Sequence, residues 1–421
     1  MTRVTSPVWH PFTQHGIERD MPSVTSASGA WIETSDGQRL FDAISSWWVV
    51  THGHCHPKII AAIQAQAAIL DQVIFAGMTH EPAENVAKKL VDFAPAGLEH
   101  VFFSDSGSTS VEVALKMALG YWRNTGEPRT RILALEHAYH GDTIGTMSAG
   151  ARGVFNAAYE PLLFDVGRIP FPYAGREQAT LDSLEAVCRA GDVAAFICEP
   201  LVLGAGGMLI YSAETLAEMH RICRHYGVLV VADEVMTGFG RTGRMFACEH
   251  AKIAPDILCL AKGLTGGSMP LAATLSTKPI FDAHKSTDRA RLFFHSSSYT
   301  ANPIACAAAS ANLDIWTDEP VLNRIAELAK HQSAALDDIG SDGRISGSRH
   351  IGTIAAFDIA AGRDGYLSDI ALPLRDACRK RGALIRPLGG TVYVMPPYCT
   401  TEPELGDVYE AIADAIGEVT P

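Results

Sequence analysis

Short apolar runs alternate with longer amphipathic segments along the first three quarters of the chain. Apolar runs bounded by polar or glycine-rich turns are typical of strands that are buried on both faces of a parallel sheet. The segments between them often repeat apolar residues every three or four positions, which predicts helices. The pattern therefore predicts an α/β fold. Buried strands are predicted at 101–103, 132–136, 194–198, 228–232 and 257–261.

Two of these strands end on a single ionisable residue, Asp233 after 228–232 and Lys262 after 257–261. The carboxyl ends of parallel strands meet at one edge of a sheet, so both side chains are expected in one crevice. Pyridoxal phosphate requires such a pair, a lysine amine for its aldehyde and a carboxylate for its ring nitrogen. Taken alone, these two residues are also typical of solvated strand ends. The acidic pair Asp233-Glu234 also occurs after a strand in nucleotide hydrolases.

A small-residue turn, 104–109, follows the first of the strands and precedes a helical pattern that begins at Val111. Gly107, Ser108 and Thr109 are candidates to hold a phosphate, because free N–H groups and the helix dipole favour an anion there. A plain N-cap fits the same residues equally well. The sequence has no Gly-Lys dipeptide, so the phosphate loop of nucleotide hydrolases is excluded.

Polar residues also follow the strands at 132–136 and 194–198, where Tyr139 and Glu199 stand. Tyr139 suits stacking on a planar ring, and a buried tyrosine with a satisfied hydroxyl explains it equally well. Because every strand end carries such residues, the sequence predicts one ligand site at this edge of the sheet.

The segment 52–56 contains three alternate histidines, His52, His54 and His56, with Cys55 between the last two. In an extended conformation they would share one face, which suggests a metal site. A polar loop is the favoured interpretation, because Pro57 follows and no complementary ligand cluster stands elsewhere. We therefore expect no metal. Two adjacent tryptophans, Trp47 and Trp48, precede this segment. Strict alternation in an extended segment would send one of them into the core and the other, Trp47, into a cleft.

Composition and charge narrow the class of protein. A length of 421 residues suits a large domain and a smaller one, and a net charge of −13 argues against nucleic acid or an anionic membrane as partner. Nine scattered cysteines form no C-x-x-C pair, and the N-terminus has no apolar run typical of a signal peptide. These features predict a protein with free thiols in a reducing, cytoplasmic setting.

The chain resembles the class III pyridoxal-phosphate aminotransferases of fold type I over nearly its whole length. The ADE and AKG segments mark the class. SSWW and the Arg386 segment narrow the resemblance to a member that aminates a long-chain oxo acid in biotin synthesis. The segments that carry the match are WHPFTQ at Trp9, SSWW at Ser45, SDSGS at Ser104, YHGDT at Tyr139, ADEVMTGFGRTG at Ala232, PDILCLAKGLTGG at Pro255, NPIACAAA at Asn302 and RPLGGTVYVMPPY at Arg386.

The resemblance implies a role for each matching residue. Lys262 would bind the pyridoxal phosphate aldehyde and shuttle the proton, and Asp233 would pair with its ring nitrogen. Gly107 and Ser108 would hold the phosphate. The substrate side would comprise Tyr139, which also contacts the cofactor, together with Phe12, Trp47, Lys262, Ser296 and Arg386, the last taking the carboxylate of the oxo acid.

The resemblance also implies a homodimer, because the segment 295–303 reaches the partner's cofactor phosphate in this family. Ser296, Ser297 and Ser298 replace the usual Gly-Pro-Thr, so Ser297 and Ser298 are the candidates for that contact. Leu203 stands where a glutamine often approaches the cofactor. Phe12 replaces a tyrosine found in many enzymes that use adenosylmethionine, so adenosylmethionine and lysine both remain candidate amino donors.

The implied architecture is a large domain, 51–315, with a mixed, mostly parallel seven-stranded sheet, and a small α+β domain from 1–50 and 316–421. In the C-terminal part we predict helices at 321–336, 368–380 and from about 403, a strand at 353–359, and a hairpin through Gly389 and Gly390. A broader ω-amine or diamine transaminase is one alternative. A regulator of the same fold is another, which the acidic charge and the match from Trp9 onward oppose.

Overall fold

The structure is a computed structural model that describes residues 6–18, 21–127, 129–360 and 365–420. Its strands are β1 Val24–Ser28, β2 Trp31–Thr34, β3 Arg39–Asp42, β4 Leu98–Ser104, β5 Arg131–Leu135, β6 Gly167–Ile169, β7 Val193–Cys198, β8 Val202–Leu203, β9 Leu209–Ile210, β10 Leu229–Asp233, β11 Ile257–Leu260, β12 Ala272–Thr277, β13 Ile345–Ile351, β14 Ile354–Ile359, β15 Ala383–Leu384 and β16 Thr391–Val394. Its helices are α1 Ser45–Trp48, α2 Pro57–Ala67, α3 Glu81–Phe93, α4 Gly107–Thr125, α5 Ile144–Ala149, α6 Glu177–Cys188, α7 Ala213–His225, α8 Lys278–His284, α9 Pro303–Asp318, α10 Val321–Ile339, α11 Ala371–Lys380 and α12 Glu402–Val419.

A seven-stranded sheet in the order β4-β12-β11-β10-β7-β5-β6 forms the centre of the molecule. Its strands are parallel except β12, which runs antiparallel to both of its neighbours. The sheet confirms the expected α/β, fold type I architecture. The carboxyl ends of β4, β5, β7, β10 and β11 therefore meet at one edge.

The apolar runs form these strands because both faces of the sheet are covered. Every residue of β7, β10 and β11 is buried. Successive residues enter opposite cores, so that Val230 packs with one apolar cluster and Val231 with the cluster around α4. This two-sided burial explains why the strands show continuous apolar runs rather than alternation.

A separate apolar core joins the two ends of the chain. Phe41 and Ala43 pack in it with C-terminal residues such as Leu374 and Ile412. Strand β3 pairs in parallel with β15, Phe41 opposite Ala383, in a four-stranded sheet that also contains an antiparallel hairpin of β2 and β3. This core supports the small domain expected from both termini, while its boundaries at 50 and 315 stay predictions.

One helix boundary was predicted wrongly. Helix α4 begins at Gly107 rather than Val111, because the Ser106 hydroxyl accepts a hydrogen bond from the Thr109 N–H at 3.2 Å and caps the helix there. The predicted hairpin through Gly389 and Gly390 is present as a tight turn, in which Leu388 and Thr391 exchange backbone hydrogen bonds at 2.8 and 3.1 Å. The strands beyond this turn, β15 and β16, belong to different sheets.

The histidine segment is not extended, because Gly53 and Cys55 have φ angles of 99° and 53°. The three histidines consequently have separate surroundings. His52 packs on Trp316 and Tyr398, His54 lies 2.8 Å from the Asp42 carboxylate, and His56 lies 3.5 Å from that of Glu319. No group of three or more metal-binding side chains occurs among the described residues, and no described helix is long and apolar enough to span a membrane.

Candidate active site

A cavity of about 520 Å³ opens at the carboxyl edge of the central sheet. The strand-end residues of β4, β5, β7, β10 and β11 converge on it, as their positions in the sequence predicted. The residues with expected roles that line it are Phe12, Trp47, Gly107, Ser108, Tyr139, Asp233 and Lys262.

Asp233 is the last residue of β10, and its carboxylate is almost wholly buried. One carboxylate oxygen lies 2.7 Å from Nδ1 of His140, and the other accepts a hydrogen bond from the Val235 N–H at 3.1 Å. Nε2 of His140 is buried and has no hydrogen-bond partner among the described residues. Both contacts fix the carboxylate where it can pair with a cationic ring nitrogen.

Lys262 follows β11 after one residue, Ala261, and begins a short 3₁₀ turn, with a φ of 43°. Burial lowers the pKa of its amine, while the carboxylates of Asp233 and Glu199 act in the opposite direction. Nζ lies 5.0 Å from the centroid of the Trp48 ring. A lowered pKa favours the neutral amine, which is the form that attacks an aldehyde and accepts a proton.

The N-terminus of α4 borders the cavity with Gly107 and Ser108, and the first N–H groups of a helix of this length favour an anion. A Cβ at Gly107 would lie 2.5 Å from Cγ1 of Val235, so glycine permits the close approach of the helix to the end of β10. The Ser108 hydroxyl accepts a hydrogen bond from the Asp142 N–H at 3.2 Å. These contacts form a small-residue cradle suited to a phosphate.

Glu199 connects the loops that follow β5 and β7. Its two carboxylate oxygens accept hydrogen bonds from the N–H groups of Tyr139 and Gly204, each at 3.0 Å. Burial raises the pKa of Glu199 to about 7, although the nearby His140 and these two bonds lower it. Burial and the carboxylate of Asp142 also raise the pKa of the Tyr139 hydroxyl, which therefore stays protonated.

Aromatic side chains form the outer wall of the cavity. The Phe12 ring centroid lies 5.5 Å from Trp47 and 6.0 Å from Phe155, and Phe155 packs on Tyr366 at 4.6 Å. Of the tryptophan pair, Trp48 is buried and Trp47 is 38% exposed. They do diverge as expected, but through a kinked turn with positive φ at Ser46 and Trp48 rather than an extended strand.

Arg386 does not line the cavity itself but lies beside this wall. Its guanidinium stacks over the Trp47 ring at 5.0 Å and donates a hydrogen bond from Nη2 to the Phe12 carbonyl at 2.9 Å. An acidic group at the aromatic end of the cavity would therefore meet a positive charge.

Two sequence expectations lie away from the cavity. Ser296, Ser297 and Ser298 do not line it, although the Ser297 hydroxyl donates a hydrogen bond at 3.0 Å to Asp105, which does. Leu203 is fully buried in β8 and does not reach the cavity either.

His140, Phe155 and Tyr366 had no role assigned from the sequence, yet all three line the cavity. For His140 the signal was its place immediately after Tyr139 at a strand end. Phe155 and Tyr366 stand in irregular segments, where no apolar period marks a buried side chain.

The residues present fit pyridoxal phosphate. A buried carboxylate for the ring nitrogen, a buried lysine with a lowered pKa for the aldehyde, and a helix N-terminus with a glycine cradle for the phosphate all border one cavity. This combination of fold and site defines a pyridoxal-phosphate-dependent aminotransferase.

Comparison with known proteins agrees with the site. The model of the family described as aminotransferase class-III matches residues 15–416, and the chain belongs to this family. It is accordingly an aminotransferase that uses pyridoxal 5′-phosphate.

The relatives point to one member of the class. A protein of Synechococcus elongatus named adenosylmethionine-8-amino-7-oxononanoate aminotransferase is 48% identical over 98% of this chain and 99% of its own length. The crystal structure of an enzyme of the same name from Methanocaldococcus jannaschii has a TM-score of 0.94 at 32% identity, covering 99% of this chain and 98% of that one. An amine transaminase from an uncultivated Pseudomonas species, solved with pyridoxal phosphate bound, has a TM-score of 0.93 at 32% identity, with 99% of both chains covered.

Proposed function

We propose that this protein transfers an amino group from S-adenosyl-L-methionine to 8-amino-7-oxononanoate, forming 7,8-diaminononanoate for biotin synthesis. The observation that carries the proposal is full-length similarity, at 48% identity, to a relative named for this activity. The cavity supports it, because the proposed acceptor has a long apolar chain with a distal carboxylate. Apolar rings would contact the chain, and Arg386 would bind the carboxylate.

The chemistry divides between the cofactor and the protein. Bound pyridoxal phosphate supplies an aldehyde that takes up the amino group and a ring that withdraws electrons from the adjacent carbon. Asp233, held by His140, would keep the ring nitrogen protonated. Nζ of Lys262 would move the proton from the amine-bearing carbon of the donor to the former aldehyde carbon of the cofactor, and in the acceptor half-reaction it would move a proton from that carbon to the acceptor. Kinetics are expected to be ping-pong, because donor and acceptor react in turn.

The aromatic side chains of the cavity wall determine which substrates bind and do not carry out the proton transfer. Tyr139 is fixed through its own N–H by Glu199 and contacts cofactor and substrate in this proposal. Phe12 contributes a ring edge to Trp47 but no hydroxyl. Lysine as amino donor is therefore the second candidate, and the same acceptor site would serve it.

We also propose that the enzyme is a homodimer in which Ser296, Ser297 and Ser298 approach the cofactor phosphate of the second copy. Exposed apolar side chains flank this segment, with Phe294 at 66% and Tyr299 at 65% exposure, which supports an interface here. Sedimentation will test the dimer, and Ser298→Ala is expected to weaken cofactor binding. We further propose a cytoplasmic location, which the nine free thiols support.

A broader ω-amine transaminase is the remaining enzyme class, favoured by the similarity in structure to the Pseudomonas amine transaminase. The decisive experiment follows the visible absorbance of the holoenzyme after adenosylmethionine or lysine is added without acceptor. We expect adenosylmethionine to remove the visible absorbance band of the bound cofactor. A response to lysine alone would change the donor, and a response only to other amines would contradict the proposal.

A further inference from the structure

The segment 11–18 contributes Phe12 to the lining of the cavity and is fastened to helix α11 by Glu18, which pairs with Arg375. We infer that Glu18 is a positioning residue, which holds the Phe12 carbonyl in place and thereby orients Arg386 toward the carboxylate of the acceptor. This inference rests on the proposed function. Glu18 lies outside the cavity, and its contribution would be indirect.

Each carboxylate oxygen of Glu18 has a partner, and the two contacts together hold the segment 11–18 in place. One carboxylate oxygen accepts a hydrogen bond from the Gln14 N–H at 3.1 Å, and the other pairs closely with Nη1 of Arg375 on α11. The pair is largely shielded, with side-chain exposures of 13% for Glu18 and 20% for Arg375. A shielded, charge-assisted pair of this kind is a stronger constraint than a solvated surface pair.

The Glu18 carboxylate also interacts electrostatically with Arg386. Burial acts to raise the pKa of Glu18, but the hydrogen bonds from Arg375 and Gln14 and the positive charges of Arg375 and Arg386 lower it overall. The Glu18 carboxylate is therefore ionised at neutral pH. Its negative charge attracts the guanidinium of Arg386, although the two groups, both within the described ranges, share no hydrogen bond or ion pair, so the anchoring of the segment rests on Arg375 and Gln14.

The backbone transmits this constraint to Phe12. The N–H groups of Ile17 and Glu18 both donate to the Gln14 carbonyl at 2.9 Å, which closes a compact turn. Two residues before Gln14, Phe12 has a φ of 48°, a conformation that needs support from its surroundings. Anchoring Glu18 on α11 thus fixes the carbonyl that Arg386 contacts.

Arg386 remains available for a ligand in this arrangement. Its bond to the Phe12 carbonyl at 2.9 Å is the one hydrogen bond it makes within the described ranges, and Trp47 supports the face of the guanidinium. A guanidinium has five N–H donors in a planar fork, so the others can bind a carboxylate in bidentate fashion. The Phe12 carbonyl and the Trp47 ring together preset the plane of that fork.

The test compares Glu18→Gln with the matched control Asp376→Asn in the holoenzyme. Asp376 also pairs with Arg375, at 2.9 Å, but has no hydrogen bond or ion pair with the described segment 11–18. For Glu18→Gln we expect KM for the oxo acid to rise about tenfold, the range for one lost charge-assisted hydrogen bond, while the donor half-reaction keeps its rate. For Asp376→Asn both should stay near the wild-type values.

An acceptor of equal length without the terminal carboxylate separates positioning from general damage. Glu18→Gln should leave KM for that acceptor unchanged. Equal losses with both acceptors, an equal loss in the donor half-reaction, or no change in KM for the oxo acid would overturn the inference.

Two further measurements keep the result interpretable. In the double variant of Glu18→Gln with Arg375→Gln, the increase in KM should not exceed that of the worse single variant, since the two act as a unit. Additive losses would contradict this. If the wild-type enzyme itself does not discriminate between the two acceptors, the proposed function fails together with the inference. If it does discriminate and Glu18→Gln has no effect, the inference alone fails.

Discussion

Nδ1 of His140 lies 2.7 Å from the Asp233 carboxylate, and both side chains are buried at the end of β10. The pair holds the Asp233 carboxylate, which we propose pairs with the cofactor ring nitrogen. His140→Asn is expected to lower kcat by about 10- to 100-fold, the equivalent of one hydrogen bond to a charged group. The matched control is His137→Asn, because His137 contacts the Tyr173 hydroxyl instead. Equal effects of both variants would refute a specific role for His140.

Lys262 is the only proposed nucleophile toward the cofactor aldehyde. Lys262→Ala should abolish turnover and the visible absorbance of the covalently bound cofactor, because no other amine is proposed for that bond. Lys285→Ala removes an exposed lysine and should change neither. A spectrum and a rate assay on both variants are sufficient. Retention of activity and absorbance by Lys262→Ala would disprove the assignment.

Arg386→Ala should raise KM for the oxo acid far more than it affects the donor half-reaction, because the guanidinium is assigned to the acceptor carboxylate. Arg386→Lys retains the charge but not the planar fork, so we expect it to recover only part of the loss. Single-turnover kinetics of each half-reaction measure this directly. Equal losses in both half-reactions would place Arg386 in a general structural role.

Gly107→Ala would place a methyl group 2.5 Å from Val235 at the N-terminus of α4. Moving the helix to relieve that clash is expected to cost about 1–3 kcal/mol and to weaken cofactor binding, because the proposed phosphate cradle moves with it. Gly153→Ala is the control, since its Cβ would meet no atom within 4 Å. Cofactor titration followed by fluorescence compares the two. Wild-type affinity in Gly107→Ala would argue against this cradle.

The raised pKa of Glu199 predicts a dependence of stability on pH in the cofactor-free protein. The folded state holds the proton up to about pH 7, whereas the ordinary pKa is 4.5, so the folded state binds more protons in that interval. The contribution of Glu199 to the free energy of unfolding therefore falls as pH rises from about 4.5 to 7, by at most ~1.4 kcal/mol per pH unit.

Glu199→Gln removes this titration. The free energy of unfolding of the wild type minus that of the variant should consequently fall between pH 5 and pH 7, as measured by denaturant titration of both proteins. A difference that rises with pH would show that the carboxylate is stabilised in its ionised form.

The parallel strands could be predicted because strands buried on both faces appear in the sequence as continuous apolar runs. The runs that became β7, β10 and β11 are apolar at nearly every position, and Asp233 and Lys262 interrupt the pattern where the cavity begins. Strand β12, by contrast, reads AATLST and inserts antiparallel between β11 and β4. Its mixture of small and polar residues has no period, so only the pairing with its neighbours reveals it.

The rest of the site depends on contacts between distant segments. Phe155 and Tyr366 meet at 4.6 Å through the fold, and nothing near either residue in the chain indicates the other. The same applies to Arg386 and Phe12, which stand near opposite ends of the chain. Residue type and position at a strand end identify the proposed cofactor side of the cavity, whereas the proposed substrate side is assembled by tertiary packing.

The parallel pairing of β3 with β15 has a consequence for synthesis on the ribosome. Phe41 is made early, but its strand partner Ala383 emerges only when most of the chain has been translated. Until then the hairpin of β2 and β3 has an unpaired edge at β3 and exposed apolar side chains. Such a state is prone to aggregation. Any premature stop before Ala383 would leave that edge permanently unpaired, so truncated products should be targets for chaperones and proteases rather than partly active enzymes.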